Sequence, residues 1–264
     1  MTARAAYIIC ATPRSGSTLL CRLLGATGVA GHPHSYFHRS SVEDWARFLD
    51  IEIDGTASQE ETLRAVLAAA IKEGSGQTDM FGLRLMRKSF DFFMDQLDLV
   101  YPGYPNDVAR IEAAFGPTRY IRLTRADKAA QAVSVVKAIQ TGLWHKAPDG
   151  TEIERLSPHQ EPCYDPALIQ QHYDAFQASD DAWAAWFDHQ GLQPLHITYE
   201  ALSANPLATV ARVLRYLGRD PAAARELTLP VAKLADATSQ SWIDRFKSER
   251  LGGPGPQDGT TRPV

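Results

Sequence analysis

The sequence predicts an α/β protein in which an open parallel sheet carries helices on both faces. Short apolar, β-rich segments alternate with longer segments of helical periodicity along most of the 264 residues. Alternation of this kind is typical of parallel strands joined by helical crossovers. A polar turn containing glycine lies directly between the first apolar segment and the first helix. Such a turn points backbone N–H groups and the positive end of a helix dipole toward an anion.

The first strand is predicted at 6–10, where the run AYIIC is apolar throughout and is typical of a buried strand. The first helix, at 17–28, has leucines at helical spacing, and Ser17 or Thr18 is its predicted N-cap. Further strands are predicted at 80–86, 118–125 and 194–202. Further helices are predicted at 40–53, 61–74, 91–101, 109–116, 128–144, 169–191 and 206–218.

Residues 1–250 are expected to form a single domain that includes a helical segment at about 40–75. The segment 145–166 is dense in proline, glycine and charged residues. A loop of this length in a compact domain is usually functional or disordered, and we expect it to be a lid over the acceptor site. Residues 251–264 have the composition of a disordered tail.

Composition and charge argue against several classes of function. The net charge of −4 argues against a nucleic-acid-binding protein, which needs a basic field along one face. No apolar run approaches the roughly 20 residues of a membrane span. Cys10, Cys21 and Cys163 form no CxxC pair and lie in mostly apolar surroundings, so we expect buried free thiols and a cytoplasmic location. The sequence leaves the oligomeric state open, a homodimer included.

The turn ATPRSGSTLL at 11–20 is similar to a phosphate-binding loop that lacks its lysine. A nucleotide triphosphatase has the pattern GxxxxGK[ST], in which the lysine contacts the β- and γ-phosphates and the hydroxyl binds Mg²⁺. Here Ala11 replaces the first glycine and Ser17 replaces the lysine. The turn therefore suits one anionic group better than a magnesium-bound triphosphate. The predicted binding residues are Arg14, Ser15, Gly16, Ser17 and Thr18. The alternative is an ordinary polar turn between a strand and a helix.

A second basic and polar pair lies further along the chain. Arg125 follows a predicted strand directly, and Ser134 lies about two and a half turns further on, in the following helix. An arginine at the carboxyl end of a strand faces the ligand crevice of an open α/β sheet. The pair therefore predicts a site for a second, terminal phosphate of the same ligand. The alternative is a surface charge and an ordinary helix serine.

Together these residues resemble the P-loop-like sulfotransferases, and most closely the bacterial trehalose 2-sulfotransferase family. The matching segments lie between position 12 and about 246, and they are TPRSGSTLL, GVAGHP, GLRLM, RADKAAQAVSVVKAIQTGLW and SWIDRF. The resemblance implies a P-loop-like fold. It also implies that the donor is 3′-phosphoadenosine 5′-phosphosulfate (PAPS), which leaves adenosine 3′,5′-bisphosphate (PAP) as product without the help of a metal ion.

The resemblance also implies roles for individual residues. The segment from Arg14 to Thr18 would bind the 5′-phosphosulfate, and Arg14 would stabilise the leaving phosphate. Arg125 and Ser134 would bind the 3′-phosphate.

The segment SWIDRF would lie near the nucleotide, so that Trp242 and Arg245, with Phe246, would be further contacts. The alternative is an amphipathic helix that places Trp242 and Phe246 in the core, since they are four residues apart.

The histidine-rich segment GHPHSYFH at 31–38 departs from the family pattern, approximately GEPxEFF, whose second glutamate is the general base. His32 replaces the first glutamate, and Ser35 occupies the general-base position. Serine has no useful basicity at neutral pH, whereas imidazole is the usual base for a hydroxyl. We therefore predict His34 or His32 as the base, with His38 close by. The alternatives are ordinary loop or core histidines, and a zinc site has no support from cysteines or an acidic cluster.

The sequence thus predicts a PAPS-dependent sulfotransferase that acts on a hydroxyl of a carbohydrate or another small acceptor. Trp144, Trp183 and Trp186 are candidates to line the acceptor pocket, although Trp183 and Trp186 also suit a core. A binding protein that keeps the nucleotide site and has lost its base is one alternative. A small-molecule kinase is another, and the missing lysine argues against it.

Overall fold

The structure, a computed structural model, describes residues 5–53, 55–147, 149–225, 227–228 and 236–251. Residues 252–264 of the predicted tail lie outside the described residues. The strands are β1 (Ala5–Ala11), β2 (Met80–Met86), β3 (Thr118–Thr124), β4 (Leu143–Lys146), β5 (Glu152–Arg155) and β6 (Leu195–Thr198). The α-helices are α1 (Ser17–Ala26), α2 (Val42–Phe48), α3 (Gln59–Ser75), α4 (Arg87–Val100), α5 (Asp107–Phe115), α6 (Lys128–Thr141), α7 (Pro166–His189), α8 (Tyr199–Ala204), α9 (Pro206–Leu217) and α10 (Ala237–Leu251).

The central sheet has four parallel strands in the order β2-β1-β3-β6. This arrangement confirms the predicted open parallel sheet. β1 is paired on both sides, and its last residue, Ala11, lies beside Met86 of β2 and Leu123 of β3. The strands therefore end along one common edge, which is where ligands bind in open α/β sheets.

Helices cover both faces of the sheet, as predicted. On one face of β1, Ile8 and Cys10 pack with side chains from α2, α3, α4, α5 and α7. On the other face, Tyr7 and Ile9 pack with side chains from α1, α8 and α9. A strand that is buried on both faces needs apolar residues at successive positions, which explains why the run AYIIC shows no polar alternation.

Two tryptophans of α7 belong to the core. Trp183 is 1% exposed, and its indole N–H donates to the Ala11 carbonyl at 3.2 Å. The indole N–H of Trp186 donates to Asp107 Oδ2 at 2.8 Å. Core packing, the alternative interpretation of this pair, is therefore confirmed. The hydrogen bond from Trp183 also fixes the end of β1, directly before the polar turn.

The chain after α6 differs most from the prediction. The helix predicted to reach residue 144 ends at Thr141, and Gly142 follows it in the left-handed region with φ 73°. The segment 145–166 is not one irregular loop, because β4 and β5 form an antiparallel hairpin at its start. Arg155 of β5 holds the hairpin to the end of α6 by donating to the Thr141 carbonyl at 2.7 Å. Strands of four residues are too short for a periodic signal.

Three smaller predictions also need correction. The strand predicted at 194–202 is only β6, because Thr198 ends it and caps α8 by accepting from Ala201 N at 3.2 Å. The helix predicted at 40–53 is limited to α2. All three cysteines are free, and Cys10 and Cys21 are buried as predicted, but Cys163 is exposed.

None of the helices within the described ranges is both long and apolar enough to cross a membrane.

Because β1 is buried on both faces, substitution of one of its residues should cost more stability than the same substitution at an exposed site. Ile9 is 0% exposed, so Ile9→Ala should lower the free energy of unfolding by about 2–5 kcal/mol. Ile139 is 44% exposed, so Ile139→Ala makes the same chemical change with an expected effect of about 0.5 kcal/mol or less. Urea unfolding of both variants measures the difference, and equal losses would contradict a core centred on β1.

Candidate functional site

The turn after β1, residues 12–16, lies at the carboxyl edge of the sheet and leads into α1. Gly16 is the N-cap of α1 and has φ 84°, in the left-handed region. A Cβ on Gly16 would lie 2.7 Å from Tyr199 Cδ2, so no larger residue fits there without displacing the tyrosine. The predicted caps, Ser17 and Thr18, are wrong, and no described side chain caps this helix. The first N–H groups of α1 therefore have no side-chain acceptor among the described residues, which is the arrangement that an anion can use.

Arg14 connects the turn to α6 and to the hairpin. Its Nε donates to Ser134 Oγ at 2.9 Å, and its Nη1 donates to the Trp144 carbonyl at 2.7 Å. Burial, with a smaller contribution from the nearby charge of Arg125, lowers the pKa of Arg14 to about 10. The guanidinium therefore stays positively charged at neutral pH. Arg14 also has φ 62°, which is uncommon for a residue with a side chain and often marks a functional site.

Arg125 lies against the same turn. Its Nη1 donates to the Arg14 carbonyl at 3.2 Å, and its guanidinium stacks on the Tyr199 ring at 4.4 Å from the ring centroid. Burial lowers the pKa of Arg125. Its Nε is buried and has no hydrogen-bond partner among the described residues. The structure thus brings Arg14 together with Arg125 and Ser134, which lie more than a hundred residues after it in the sequence.

Buried side chains hold the turn in place through hydrogen bonds to its backbone and to Thr12. Ser15 is 0% exposed, and its hydroxyl donates to the Thr12 carbonyl at 2.7 Å. Gln131 of α6, which is also fully buried, donates from Nε2 to Thr12 Oγ1 at 2.9 Å and to the Pro13 carbonyl at 2.7 Å. What Ser15 offers to an anion is therefore its backbone N–H, since its hydroxyl is used within the turn.

Arg84 of β2 is a site residue that the sequence analysis missed. Its Nε donates to Ser35 Oγ at 2.7 Å, and its Nη1 donates to Thr18 Oγ1 at 2.9 Å and to Ser17 Oγ at 3.4 Å. It thereby joins the polar turn to the histidine-rich segment. A signal was present, because a charged residue near the carboxyl end of an otherwise apolar parallel strand points to the ligand edge.

His34 lies beside this arginine. Its carbonyl accepts from Arg84 N at 3.0 Å, and its ring stacks on Phe48 with 5.4 Å between ring centroids. Desolvation by the surrounding protein, with smaller contributions from Arg84 and His38, lowers the pKa of His34 to about 4. The imidazole is therefore neutral at pH 7 but is a weak base.

The other residues of the segment have different environments. The His32 ring fills the space beside Gly76, where a Cβ would overlap it. His38 contacts the Ser35 carbonyl through Nδ1 at 2.7 Å, and burial lowers its pKa. Ser35, at the predicted general-base position, is 4% exposed and its hydroxyl accepts from Arg84. Among the described residues, no three His, Cys, Asp or Glu side chains are grouped as metal ligands.

The C-terminal helix α10 does not bring its predicted contacts to the turn. Trp242 and Phe246 are buried in a core with α6 and α7. Arg245 is exposed, pairs with Glu249 Oε1 at 2.8 Å and stacks on the Tyr164 ring at 4.1 Å. The packing interpretation of Trp242 and Phe246 is therefore confirmed. Another residue of α10, Ser239, accepts a hydrogen bond from Lys137 Nζ at 2.9 Å. Lys137 lies on α6, one turn after Ser134.

A single open cleft joins these features, and we refer to it as the site cleft. Its described lining includes Arg14, Arg84, Arg125, His34, Trp144 and Glu154. Its volume is about 2110 Å³, larger than the roughly 300–1,000 Å³ of a pocket for one small ligand, so a donor and an acceptor can lie side by side. The hairpin of β4 and β5 forms one wall.

On this wall, His145 Nδ1 and Glu154 Oε2 are 2.6 Å apart. That hydrogen bond, followed by the charges of His145, Arg84 and Arg14, lowers the pKa of the Glu154 carboxyl. Both residues belong to the segment 145–166 that was expected to cover the acceptor site, but neither was singled out, because the pairing of two short strands brings them together.

Comparison with known proteins finds similarity along nearly the whole chain. Residues 6–249 match the model of the family described as Stf0 sulphotransferase. The chain is 29% identical to the trehalose 2-sulfotransferase of Mycolicibacterium smegmatis, over 92% of this chain and 95% of the relative. It is 30% identical to the trehalose 2-sulfotransferase of Mycobacterium tuberculosis, over 94% of this chain and 97% of the relative. The solved structure of a sulfotransferase from Alicyclobacillus acidocaldarius is similar with a TM-score of 0.45 and 11% identity, over 95% of this chain and 96% of that chain. The family match and the two sequence relatives cover nearly the whole chain, so this protein is a sulfotransferase and belongs to the Stf0 sulphotransferase family.

Proposed function

We propose that this sulfotransferase transfers a sulfuryl group from PAPS to a hydroxyl group of a carbohydrate. The observation that carries the proposal is the anion site at the carboxyl edge of the sheet, where Arg14 and Arg125 meet on a turn without the lysine of a triphosphatase. The names of two relatives, both trehalose 2-sulfotransferases, support a sugar as the acceptor class.

The residues present fit a donor that carries two separate phosphate groups. Gly16 leaves room for the Tyr199 ring to pack against the turn, and the start of α1 offers N–H groups without a side-chain cap. These groups and Arg14 would hold the 5′-phosphosulfate. The buried Nε of Arg125, unpartnered among the described residues, is a donor of the kind that a 3′-phosphate satisfies, together with Ser134. When bound, PAPS supplies an activated sulfuryl group and PAP as the leaving group.

The arginines of the site cleft would stabilise the charge that develops during transfer. Arg14 is oriented by Ser134 and by the Trp144 carbonyl before any ligand binds, so its position costs no reorganisation during the reaction. Arg84, held between Thr18 and Ser35, lies where the donor side and the acceptor side of the cleft meet. In a partly buried site such charges act more strongly than in water.

The acceptor that we propose is a class of molecule, the carbohydrates, and not one particular sugar. His32 and Ser35 stand where the family pattern has glutamates, so the sugar named for the two relatives need not be the acceptor here. We propose a cytoplasmic location for the reaction, since thiols such as the free Cys10 and Cys21 stay reduced there.

The proposed reaction predicts the outcome of a transfer assay. The purified protein is incubated with PAPS and, separately, with trehalose, glucose, maltose and a sugar-free buffer. PAP release should exceed the sugar-free rate with at least one sugar, and mass spectrometry should show that sugar with one added sulfuryl group. PAP release that is the same with and without every sugar would contradict a carbohydrate acceptor.

The proposed 3′-phosphate site predicts a ligand-specific effect of Arg125→Gln. Because a hydrogen bond to a charged group contributes about 1.5–3 kcal/mol, the variant should bind PAP about 10- to 100-fold more weakly. Its affinity for adenosine 5′-phosphate, which lacks the 3′-phosphate, should stay within about threefold of the wild type. Isothermal titration calorimetry gives both dissociation constants.

Arg119→Gln is the matched control for this experiment. Like Arg125, Arg119 stacks on a tyrosine ring, which in its case belongs to Tyr216. Arg119 is exposed and lies near the start of β3, at the opposite end of the strand from Arg125. It should leave both affinities unchanged. Equal weakening of PAP and adenosine 5′-phosphate by Arg125→Gln would mean that Arg125 does not recognise the 3′-phosphate.

A further inference from the structure

The acceptor side of the site cleft needs a base that the histidine-rich segment does not supply well. Ser35 is engaged by Arg84, and the His34 ring is stacked against Phe48. A sugar hydroxyl must nevertheless lose its proton when it attacks sulfur. The described acidic residues that line the cleft are Glu154, Glu161 and Asp236.

Two of these three carboxylates are poorly placed for this role. Asp236 is bonded to Lys137 at 2.6 Å and to Ser239, and its pKa is lowered to about 2. The Glu161 side chain is 93% exposed and pairs only loosely with His159, at 3.2 Å. Glu154 differs from both, because its side chain is 44% exposed in the cleft and is held by a short hydrogen bond.

The charged neighbours of Glu154 belong to both sides of the site cleft. The charged and titratable groups that face it are His145 on β4, Arg14 on the turn after β1, Arg84 on β2, and His34 on the histidine-rich segment. Arg14 and Arg84 belong to the proposed donor site. Glu154 is therefore within electrostatic reach of both the leaving-group side and the acceptor side.

We infer that Glu154 is the general base of the transfer and that His145 is a positioning residue that orients its carboxylate. This inference rests on the proposed function. The acceptor O–H bond breaks and its proton goes to a carboxylate oxygen of Glu154, while the acceptor oxygen forms a bond to sulfur. The bond between sulfur and the bridging oxygen of the donor breaks, and its electron pair leaves with PAP on the side of Arg14.

The environment of Glu154 suits this role. The hydrogen bond from His145, with Arg84 and Arg14, lowers the pKa of Glu154, so the carboxylate is ionised and able to accept a proton at neutral pH. A weakly basic group is sufficient when the hydroxyl becomes more acidic as its bond to sulfur forms. The base comes from β5, in the hairpin, rather than from the segment that carries it in the family pattern.

The test compares Glu154→Gln with the wild type in the transfer assay, using the sugar from the panel that gives the highest turnover. General-base catalysis contributes about 10²- to 10⁴-fold, so kcat should fall by at least about 100-fold. The dissociation constant for PAP should be unchanged or lower, because a negative charge near the anion site is removed. Glu154→Asp, which keeps a withdrawn carboxylate, should give an intermediate kcat.

Glu152→Gln is the matched control, since Glu152 lies on the same strand, is exposed and pairs with Arg155. It should retain wild-type kcat. A kcat for Glu154→Gln within threefold of the wild type would overturn the inference, as would a larger loss for His34→Asn than for Glu154→Gln. Failure of the proposed function gives a different result, because the wild type itself would then neither bind PAP nor transfer sulfuryl to any sugar.

The role of His145 has its own readout, the pH profile of kcat/KM. The base form of Glu154 is lost as pH falls through its pKa, and the hydrogen bond from His145 is the largest cause that keeps this pKa low. His145→Ala should therefore move the acidic limb of the profile to higher pH, whereas the exposed His189→Ala should not. An unmoved limb in His145→Ala would show that His145 does not act through Glu154.

Discussion

The hydrogen bonds that clamp the polar turn onto α6 are the interaction on which the site depends. Gln131 of α6 donates hydrogen bonds to Thr12 and Pro13 of the turn, and Arg14 of the turn donates one to Ser134 on the same helix. Trp183 fixes the preceding end of β1. Because the turn is already ordered, an anion that binds there does not have to pay the entropy of ordering the backbone. The N–H groups of α1 and the arginines are thus aligned in advance.

This arrangement concentrates positive charge in a partly buried place. Burial lowers the pKa of both Arg14 and Arg125, and the nearby charge of Arg125 lowers the pKa of Arg14 further. Such crowding costs folding free energy, and an anionic ligand offsets it. Functional sites commonly lower the stability of a protein in this way. Glu154 provides the opposite charge in the cleft, and Arg84 connects its two halves by bonding to both Ser35 and Thr18.

The sequence was sufficient for the parts of the structure that depend on local pattern. The apolar run of β1 and the position of Arg125 after a strand predicted the sheet and its ligand edge, because burial and strand direction are local properties. Arg84 also had a local signal, a charge near the carboxyl end of an apolar strand, which was overlooked. Glu154 and the hairpin could not be found this way, since strands of four residues are too short for a periodic signal. The core position of Trp183 and Trp186 was open for the same reason, as helical spacing alone does not say which surface a helix meets.

The central claim is that one ordered turn and two arginines recognise a donor with separate 5′ and 3′ phosphate groups. The most direct measurement is a crystal structure of the protein grown with PAP. The account predicts the 5′-phosphate against the N–H groups of residues 16–18 and Arg14, and the 3′-phosphate within hydrogen-bond distance of Arg125 and Ser134. A bisphosphate bound elsewhere, or bound at this edge with its 3′-phosphate away from Arg125, would contradict it.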